Sequence, residues 1–252
     1  MDVSDTLAVF AGPSLAGSPF TGPLAPFLRP PVRAGDLRTV AAGLAPGAVL
    51  LVIDGEFGQS QAVTLTEIRE ALDAGFRIYG AASMGALRAT ECAPLGMTGL
   101  GSVAAAYAAG HLVGDDEVAL LYDPDDYGPL TVPLVNVRRL TALLAGWGAD
   151  AADRDRFLAA ARELHFRRRT FAALRRAADA TLPGPAADAA RGLLEPSARR
   201  VWDVKLADAE AAVSTVLTGR IPAPRHDAAP VPAGYAALLD PEAVPGTERD
   251  GR

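Results

Sequence analysis

The sequence contains very little of two residue types, cysteine and lysine, and each scarcity excludes a class of protein. Cys92 is the single cysteine in 252 residues, which excludes an internal disulfide framework and a cysteine-rich zinc site. Lys205 is the single lysine, so the Gly-Lys-Ser/Thr sequence of a Walker-A phosphate loop is absent. A Schiff-base mechanism would have to rest on Lys205, which we predict to lie in a polar helical stretch.

Excess positive charge and long apolar runs are also missing. The formal net charge is −6 at pH 7, which argues against bulk nucleic-acid binding. The longest strongly apolar stretch, residues 48–53, is far too short to span a bilayer. The first residues are acidic and a Gly-Pro pair follows at 12–13, so we expect no signal peptide, no membrane association and a cytoplasmic location.

Short apolar runs that alternate with helical patterns predict an α/β fold. The strand patterns occur at residues 7–11, 27–33, 48–54 and 76–82. The helical patterns between and after them occur at residues 36–44, 66–74 and from 84 onwards. The continuous run at 48–54 is typical of a strand buried on both faces of a parallel sheet, and the Pro30-Pro31 pair suits a sheet edge. We therefore predict a doubly wound, Rossmann-like parallel sheet.

The rest of the chain is predicted to be mainly helical. The glycine-rich segment 96–101 is expected to break the chain, and residues 118–122 and 130–132 are expected to pair as a hairpin. The predicted helices lie at residues 102–109, 134–147 and, almost without interruption, 150–217. These patterns divide the chain into an α/β core (1–148), an all-helical extension (149–219) and a flexible, proline-rich tail (220–252).

Ser83 lies where a predicted strand turns into a predicted helix. The pattern Ala81-x-Ser83-x-Gly85 approaches the G-x-S-x-G nucleophile elbow, with alanine in place of the first glycine. The unpaired N–H groups of Met84 and Gly85 at the helix start are candidate donors to an oxyanion. The alternative is that Ser83 simply caps the helix.

Other polar residues follow the predicted strands, at the edge where ligands bind in doubly wound sheets. Gly12 and Ser14 follow the first strand, and Asp54 and Glu56 follow the buried strand at 48–54. The two carboxylates suit acid–base chemistry or a cation, or else serve as turn and capping groups.

Three further groups of polar residues have two interpretations each. Arg88 and Glu91 are three apart on one helix and form either a local ion pair or, through Arg88, an anion site. The acidic run 115–117 either binds Mg²⁺ or is solvated, and Asn136 either caps the helix that begins around it or binds a ligand.

A series of short motifs, taken in order, resembles the TfuA-like core domain from residue 7 to about 148. The motifs are Val9-Phe10-Ala11-Gly12-Pro13-Ser14-Leu15, Val52-Ile53-Asp54-Gly55-Glu56-Phe57, Ala81-Ala82-Ser83-Met84-Gly85-Ala86-Leu87-Arg88-Ala89, Gly96-Met97-Thr98-Gly99, Asp115-Asp116-Glu117-Val118 and Val135-Asn136-Val137-Arg138. The resemblance implies work beside an ATP-dependent YcaO-type enzyme that converts a peptide-backbone amide into a thioamide. It also implies that the protein hydrolyses the C-terminal thiocarboxylate of a ThiS-like sulfur-carrier protein and thereby releases sulfide.

The resemblance, together with the motif positions, sets the candidate site residues. The candidate catalytic residues are Ser83, Glu56, Asp54, Arg88 and Glu91, and the candidate substrate-binding residues are Gly12, Ser14, Met84, Gly85, Asp116, Glu117, Asn136 and Arg138. The implied partners are the YcaO-type enzyme, the sulfur carrier and the precursor peptide, with no metal and no cofactor in this chain.

Two mechanisms and one non-catalytic role remain open at this point. Either Ser83 attacks the acyl carbon, although no histidine in a matched motif supplies its base, or water attacks with help from Asp54 or Glu56. The alternative to catalysis is an adaptor that binds the YcaO-type enzyme and the precursor peptide. The arginine-rich segment 154–176 is predicted to contact a protein partner, and the alternative is an ordinary solvated helix face.

Overall fold

The computed structural model describes residues 5–58 and 61–219, and its centre is a five-stranded sheet. The strands are β1 (Leu7–Phe10), β2 (Leu28–Arg29), β3 (Val49–Val52), β4 (Arg77–Ala81) and β5 (Thr98–Leu100). All neighbouring strands are parallel, in the order β2-β1-β3-β4-β5. The predicted α/β fold is confirmed, and the order is that of flavodoxin-like doubly wound sheets, whose strand order reverses between β1 and β3.

Eleven α-helices surround or extend this sheet in the described part of the chain. They are α1 (Thr21–Leu24), α2 (Asp36–Ala41), α3 (Leu65–Asp73), α4 (Met84–Glu91), α5 (Gly101–Ala108), α6 (Leu134–Leu143), α7 (Ala151–Glu163), α8 (Phe171–Thr181), α9 (Gly184–Leu193), α10 (Arg199–Trp202) and α11 (Val204–Leu217). Local sequence sets their ends: Thr64 accepts a hydrogen bond from the Glu67 amide at the start of α3, and Gly75 follows that helix with φ +89°.

The central strands bury both of their faces. Val9 and Leu51 face a cluster that contains Ala209 of α11, whereas Phe10 and Leu50 face a cluster built with α2, α3 and α4. Since successive side chains of a strand point to opposite sides, the continuous apolar sequence of β1 and β3 follows directly. The last helix of the predicted extension therefore packs against the sheet and completes one of its layers.

Helices α6 to α10 form a second cluster beside the sheet. Phe157, Leu174 and Trp202 are buried in it, and Trp202 Nε1 donates a hydrogen bond to the Leu193 carbonyl at 2.6 Å. The buried indole N–H thus has the partner that its burial requires. The helical character predicted for 150–217 is confirmed; the division into separate domains stays a prediction.

Two predictions for the middle of the chain were wrong. The segment 96–101 does not break the fold but contains β5, where Gly99 allows close packing because a Cβ there would lie 2.9 Å from Ala104 Cβ. Segments 118–122 and 130–132 do not form a hairpin ladder. The Leu130 and Thr131 amides both donate to the Leu121 carbonyl, at 2.8 and 3.3 Å, but the nearest antiparallel bridge joins Tyr122 to Pro129, outside the second segment. Thr131 forms its bridge with Thr170. Pro129 has no N–H to extend a ladder.

The region predicted to be a loop up to residue 27 contains a 3₁₀ turn (Pro13–Leu15) and the short helix α1. The predicted flexible tail, 220–252, lies outside the described residues. Among the residues that are described, no helix has both the length and the apolar character needed to cross a membrane.

Candidate functional site

An open cleft of about 350 Å³ lies at the carboxyl ends of β1 and β3, where the strand order reverses. In doubly wound sheets this is the position at which ligands bind. Its charged and hydroxyl-bearing wall residues are Arg33, Asp54, Glu56, Ser83, Tyr122 and Arg167. The structure therefore brings three of the five candidate catalytic residues, Asp54, Glu56 and Ser83, to one cleft.

Asp54 is buried, and both of its carboxylate oxygens accept hydrogen bonds from the turn after β1. Oδ2 accepts hydrogen bonds from the Gly12 and Ser14 amides, both at 2.9 Å, and Oδ1 accepts one from Ser14 Oγ at 2.7 Å. Gly12 and Ser14 were candidate ligand-binding residues, but these groups instead bind Asp54 and fix the turn after β1.

Tyr122 and Arg33 line the cleft and were not among the candidate residues, and Lys205, which was also not a candidate, supports the cleft from the interior. Lys205 was predicted to lie in a polar stretch, yet it is 2% exposed, and its Nζ donates to the Val118 carbonyl at 2.8 Å and lies 4.0 Å from Asp54 Oδ1. Burial lowers the pKa of Lys205, while the carboxylates of Asp54 and Asp203 act in the opposite direction. The sequence feature that could have indicated this burial is the apolar neighbours, Val204 and Leu206, of the single lysine.

Glu56 lies on the cleft wall and is only partly buried. It accepts a hydrogen bond from the Tyr122 hydroxyl and forms a 3.4 Å ion pair with Arg33. Burial, followed by the hydrogen bond to Glu56, raises the pKa of Tyr122 well above its ordinary 10.0. The phenol therefore stays protonated and keeps donating to the carboxylate, an orientation that suits a general base or acid.

Ser83 occupies the corner between β4 and α4, but its side chain makes no capping hydrogen bond. The capping alternative is therefore not what the structure shows. Ser83 is 2% exposed and lines the cleft, and the residue before it, Ala82, has φ +61°, an uncommon value for alanine. Strain of this kind collects at functional sites.

Of the two amides predicted to donate to an oxyanion, one is already hydrogen-bonded within the protein. The Gly85 amide donates to the Ile53 carbonyl at 3.1 Å, whereas the Met84 amide has no hydrogen-bond partner among the described residues. A Cβ on Gly85 would lie 1.8 Å from the Val52 carbonyl oxygen. Gly85 therefore lets α4 pack closely on β3, and Met84 alone retains an N–H for a ligand.

Arg88 and Glu91 are not brought to the cleft. Arg88 Nη1 donates to the Glu91 carboxylate, and its Nε donates to the Val63 carbonyl at 3.0 Å. Neither residue lines the cleft. Of the two interpretations left open, the structure shows the local ion pair.

Two residues of the acidic run 115–117 form ion pairs with arginines. Asp116 Oδ2 accepts from Arg169 Nη2 at 2.7 Å, and the Glu117 carboxylate binds Arg138 through two hydrogen bonds of 2.6 and 2.9 Å. Paired geometry of this kind is the strong form of an ion pair. Asp116, Glu117 and Arg138 do not line the cleft, and they fasten α6 and the segment before α8 to the core.

The prediction that Asn136 caps the helix that begins around it was wrong, because α6 has no side-chain cap and Asn136 binds the start of α11 instead. Its Oδ1 accepts from the Val204 amide at 3.1 Å, and its Nδ2 donates to Asp203 Oδ1 at 2.9 Å. These bonds join α6 to the first turn of α11, which carries Lys205, and Asn136 does not line the cleft.

The arginine-rich segment is not a uniform solvated face. Arg169 is fully buried, whereas Arg167 and Arg168 are exposed and Arg167 lines the cleft. A partner surface that includes all three residues is therefore excluded by the burial of Arg169.

A cleft with a partly buried carboxylate and a hydroxyl at the start of a helix can polarise a carbonyl group and activate water. Residues 54–170 match the family described as TfuA-like protein, a range that includes Asp54, Glu56 and Ser83. No curated protein matches the chain. The part of the chain that runs from the end of β3 to the residue before α8 is therefore similar to the TfuA-like family.

Proposed function

We propose that the protein releases sulfide by hydrolysing the C-terminal thiocarboxylate of a ThiS-like carrier protein. The observation that carries the proposal is the placement of Glu56 and Ser83 on one cleft at the reversal of strand order. The Met84 amide, which has no hydrogen-bond partner among the described residues, follows Ser83 directly in the chain. The TfuA-like family is associated with YcaO-type thioamidation, and a thioamide requires a source of sulfide.

In the proposed reaction, water attacks the carbonyl carbon of the thiocarboxylate. Glu56 accepts one proton from that water as the C–O bond forms, and the Met84 amide and Ser83 hydroxyl donate to the oxyanion. Glu56 then gives its proton to the sulfur. The C–S bond breaks to leave a carboxylic acid and HS⁻, which exchange one further proton to give carboxylate and H₂S.

The structure favours water over Ser83 as the nucleophile. Ser83 has no hydrogen-bonded side-chain base among the described residues, and Asp54 is committed to Gly12 and Ser14. Glu56 keeps its carboxylate on the cleft wall. Its Tyr122 and Arg33 contacts hold it in place without occupying all of its acceptor positions.

The proposed partners are the carrier protein, which supplies the thiocarboxylate, and a YcaO-type enzyme, which consumes the sulfide and incorporates it into a precursor peptide. The second candidate role is a non-catalytic adaptor between the YcaO-type enzyme and that peptide. The observation that favours the adaptor role is that Ser83 has no hydrogen-bonded side-chain base among the described residues, since a serine without a base is a poor nucleophile.

The test is sulfide release from a thiocarboxylated ThiS-like protein, measured with and without the protein. The proposed function predicts acceleration that scales with the concentration of this chain, in the absence of the YcaO-type enzyme. No acceleration, together with measurable binding to the YcaO-type enzyme and its precursor peptide, would replace hydrolysis with the adaptor role.

A further inference from the structure

Arg167 is the cation of the cleft that has no carboxylate partner. The charged residues that line the cleft are Arg33, Asp54, Glu56 and Arg167. Arg33 pairs with Glu56, and Asp54 is compensated by its three hydrogen bonds and by Lys205. Within residues 5–58 and 61–219, no ion pair involves Arg167.

The Arg167 guanidinium rests on an aromatic ring. Its Cζ lies 5.6 Å from the centroid of Phe166, which also lines the cleft, and Phe166 stacks on His165 with ring centroids 4.5 Å apart. A ring under a guanidinium limits its motion and leaves its N–H donors free for an anion.

The segment that carries Arg167 is anchored from below by Arg169. The buried Arg169 side chain donates to the Ala161 and Leu164 carbonyls, both at 3.0 Å, and to Asp116 Oδ2 at 2.7 Å. Because Arg167 and Arg169 are two residues apart, this anchor sets the position of the 3₁₀ turn Phe166–Arg168 above the cleft. Asp116 thus acts on the cleft through Arg169.

We infer that Arg167 binds the terminal carboxylate or thiocarboxylate of the chain that enters the cleft, and that Asp116 is a positioning residue for it. The identity of this anion rests on the proposed function. The positive charges of Arg33 and Lys205 already lie next to Glu56 and Asp54, so an anion that enters the cleft needs a cation that has no carboxylate partner. Arg167 meets this requirement and its planar fork matches a carboxylate-type group.

The test uses two fluorescent peptides that end in Gly-Gly, one as the free carboxylate and one as the carboxamide. We expect the wild-type protein to bind the carboxylate peptide at least about tenfold more tightly, and Arg167→Ala to remove this preference without weakening the carboxamide peptide. Arg168→Ala is the matched control, because Arg168 is exposed on the same turn and does not line the cleft. Asp116→Ala should reduce the preference, while Arg167→Lys should keep part of it.

These measurements do not depend on hydrolysis. A carboxylate preference that Arg167→Ala removes, in a protein that releases no sulfide, would uphold this inference and reject the proposed function. The inference is overturned if the wild-type protein shows no carboxylate preference, if Arg167→Ala weakens both peptides equally, or if Arg168→Ala has the same effect. An unchanged preference in Asp116→Ala would overturn the positioning role.

Discussion

Lys205 Nζ lies 4.0 Å from Asp54 Oδ1 in the interior of the protein, which links the last described helix to the end of the central strand β3. The same nitrogen donates to the Val118 carbonyl, and Val118 forms part of the cleft wall. One buried lysine therefore supports both the base of the cleft and its side. The described C-terminal helix belongs to the site for this reason, although no residue of α11 lines the cleft.

Lys205→Met should lower the free energy of unfolding by about 1–3 kcal/mol near neutral pH, because the Val118 carbonyl loses its buried donor. It should also change how stability depends on pH. Burial lowers the pKa of Lys205 below its ordinary 10.5. Between the lowered value and 10.5, the unfolded chain holds a proton that the folded chain has released, so this lysine makes stability rise with pH.

Urea unfolding of both proteins between about pH 7 and about pH 10 measures this effect. The difference in stability between wild type and Lys205→Met should grow in favour of wild type as pH rises. A difference that shrinks with rising pH would mean that the folded protein holds this proton more tightly than the unfolded chain does.

Gly85→Ala should destabilise the protein by at least about 3 kcal/mol. The added methyl group would lie 1.8 Å from the backbone oxygen of Val52, which cannot move without displacing β3. Gly192→Ala is the matched control, since a Cβ there meets nothing within 4 Å, and alanine in α9 should stabilise by up to about 1 kcal/mol. Thermal unfolding of both variants checks the prediction; similar melting temperatures would show that α4 does not pack this closely on β3.

Cys92 should resist thiol reagents in the folded protein. It is fully buried, and burial, followed by the nearby Glu91 charge, raises the pKa of its thiol to about 11. At pH 8 the thiolate is then about one part in a thousand of the thiol, so labelling needs local or global opening. The rate of labelling should rise steeply with denaturant. Fast labelling in native buffer would show that α4 opens readily.

Ser83→Ala should leave stability within about 1 kcal/mol of wild type, because the hydroxyl makes no capping bond whose loss would destabilise α4. Sulfide release should fall by about 10²–10³-fold, the usual effect of removing one oxyanion donor. Mass spectrometry of the wild-type protein during turnover gives the independent readout. A covalent acyl adduct on Ser83 would make Ser83 the nucleophile and replace the water mechanism.

Much of the fold follows from the sequence because its signals are local. Residues 48–54 and 76–82 are mainly apolar, and they become β3 and β4 with ends within two residues of prediction. Residues 98–100 form β5, which was missed because its two flanking glycines and Gly99 resemble a chain break. Gly99 permits α5 to pack closely on β5, and the need for a glycine at this position is visible only once the position of α5 is known.

Less of the site follows from the sequence because it depends on contacts between distant segments. Asp54 and Ser83 were identified from their positions after strands, and both line the cleft. Lys205 is 151 positions beyond Asp54 in the chain, and only the packing of α11 on the sheet brings the two together. Tyr122 and Arg167 lie in irregular segments, where neither periodicity nor spacing indicates which way a side chain points.

The rate of sulfide release by Glu56→Gln tests the central claim most directly. The substitution keeps the shape of the side chain but removes its ability to take a proton, so release from the thiocarboxylated carrier should fall by about 10²–10⁴-fold. Glu70→Gln, which alters an exposed ion pair with Arg38 away from the cleft, should release sulfide at the wild-type rate. If Glu56→Gln releases sulfide as fast as wild type and Glu70→Gln, this cleft does not carry out the hydrolysis with Glu56 as its base.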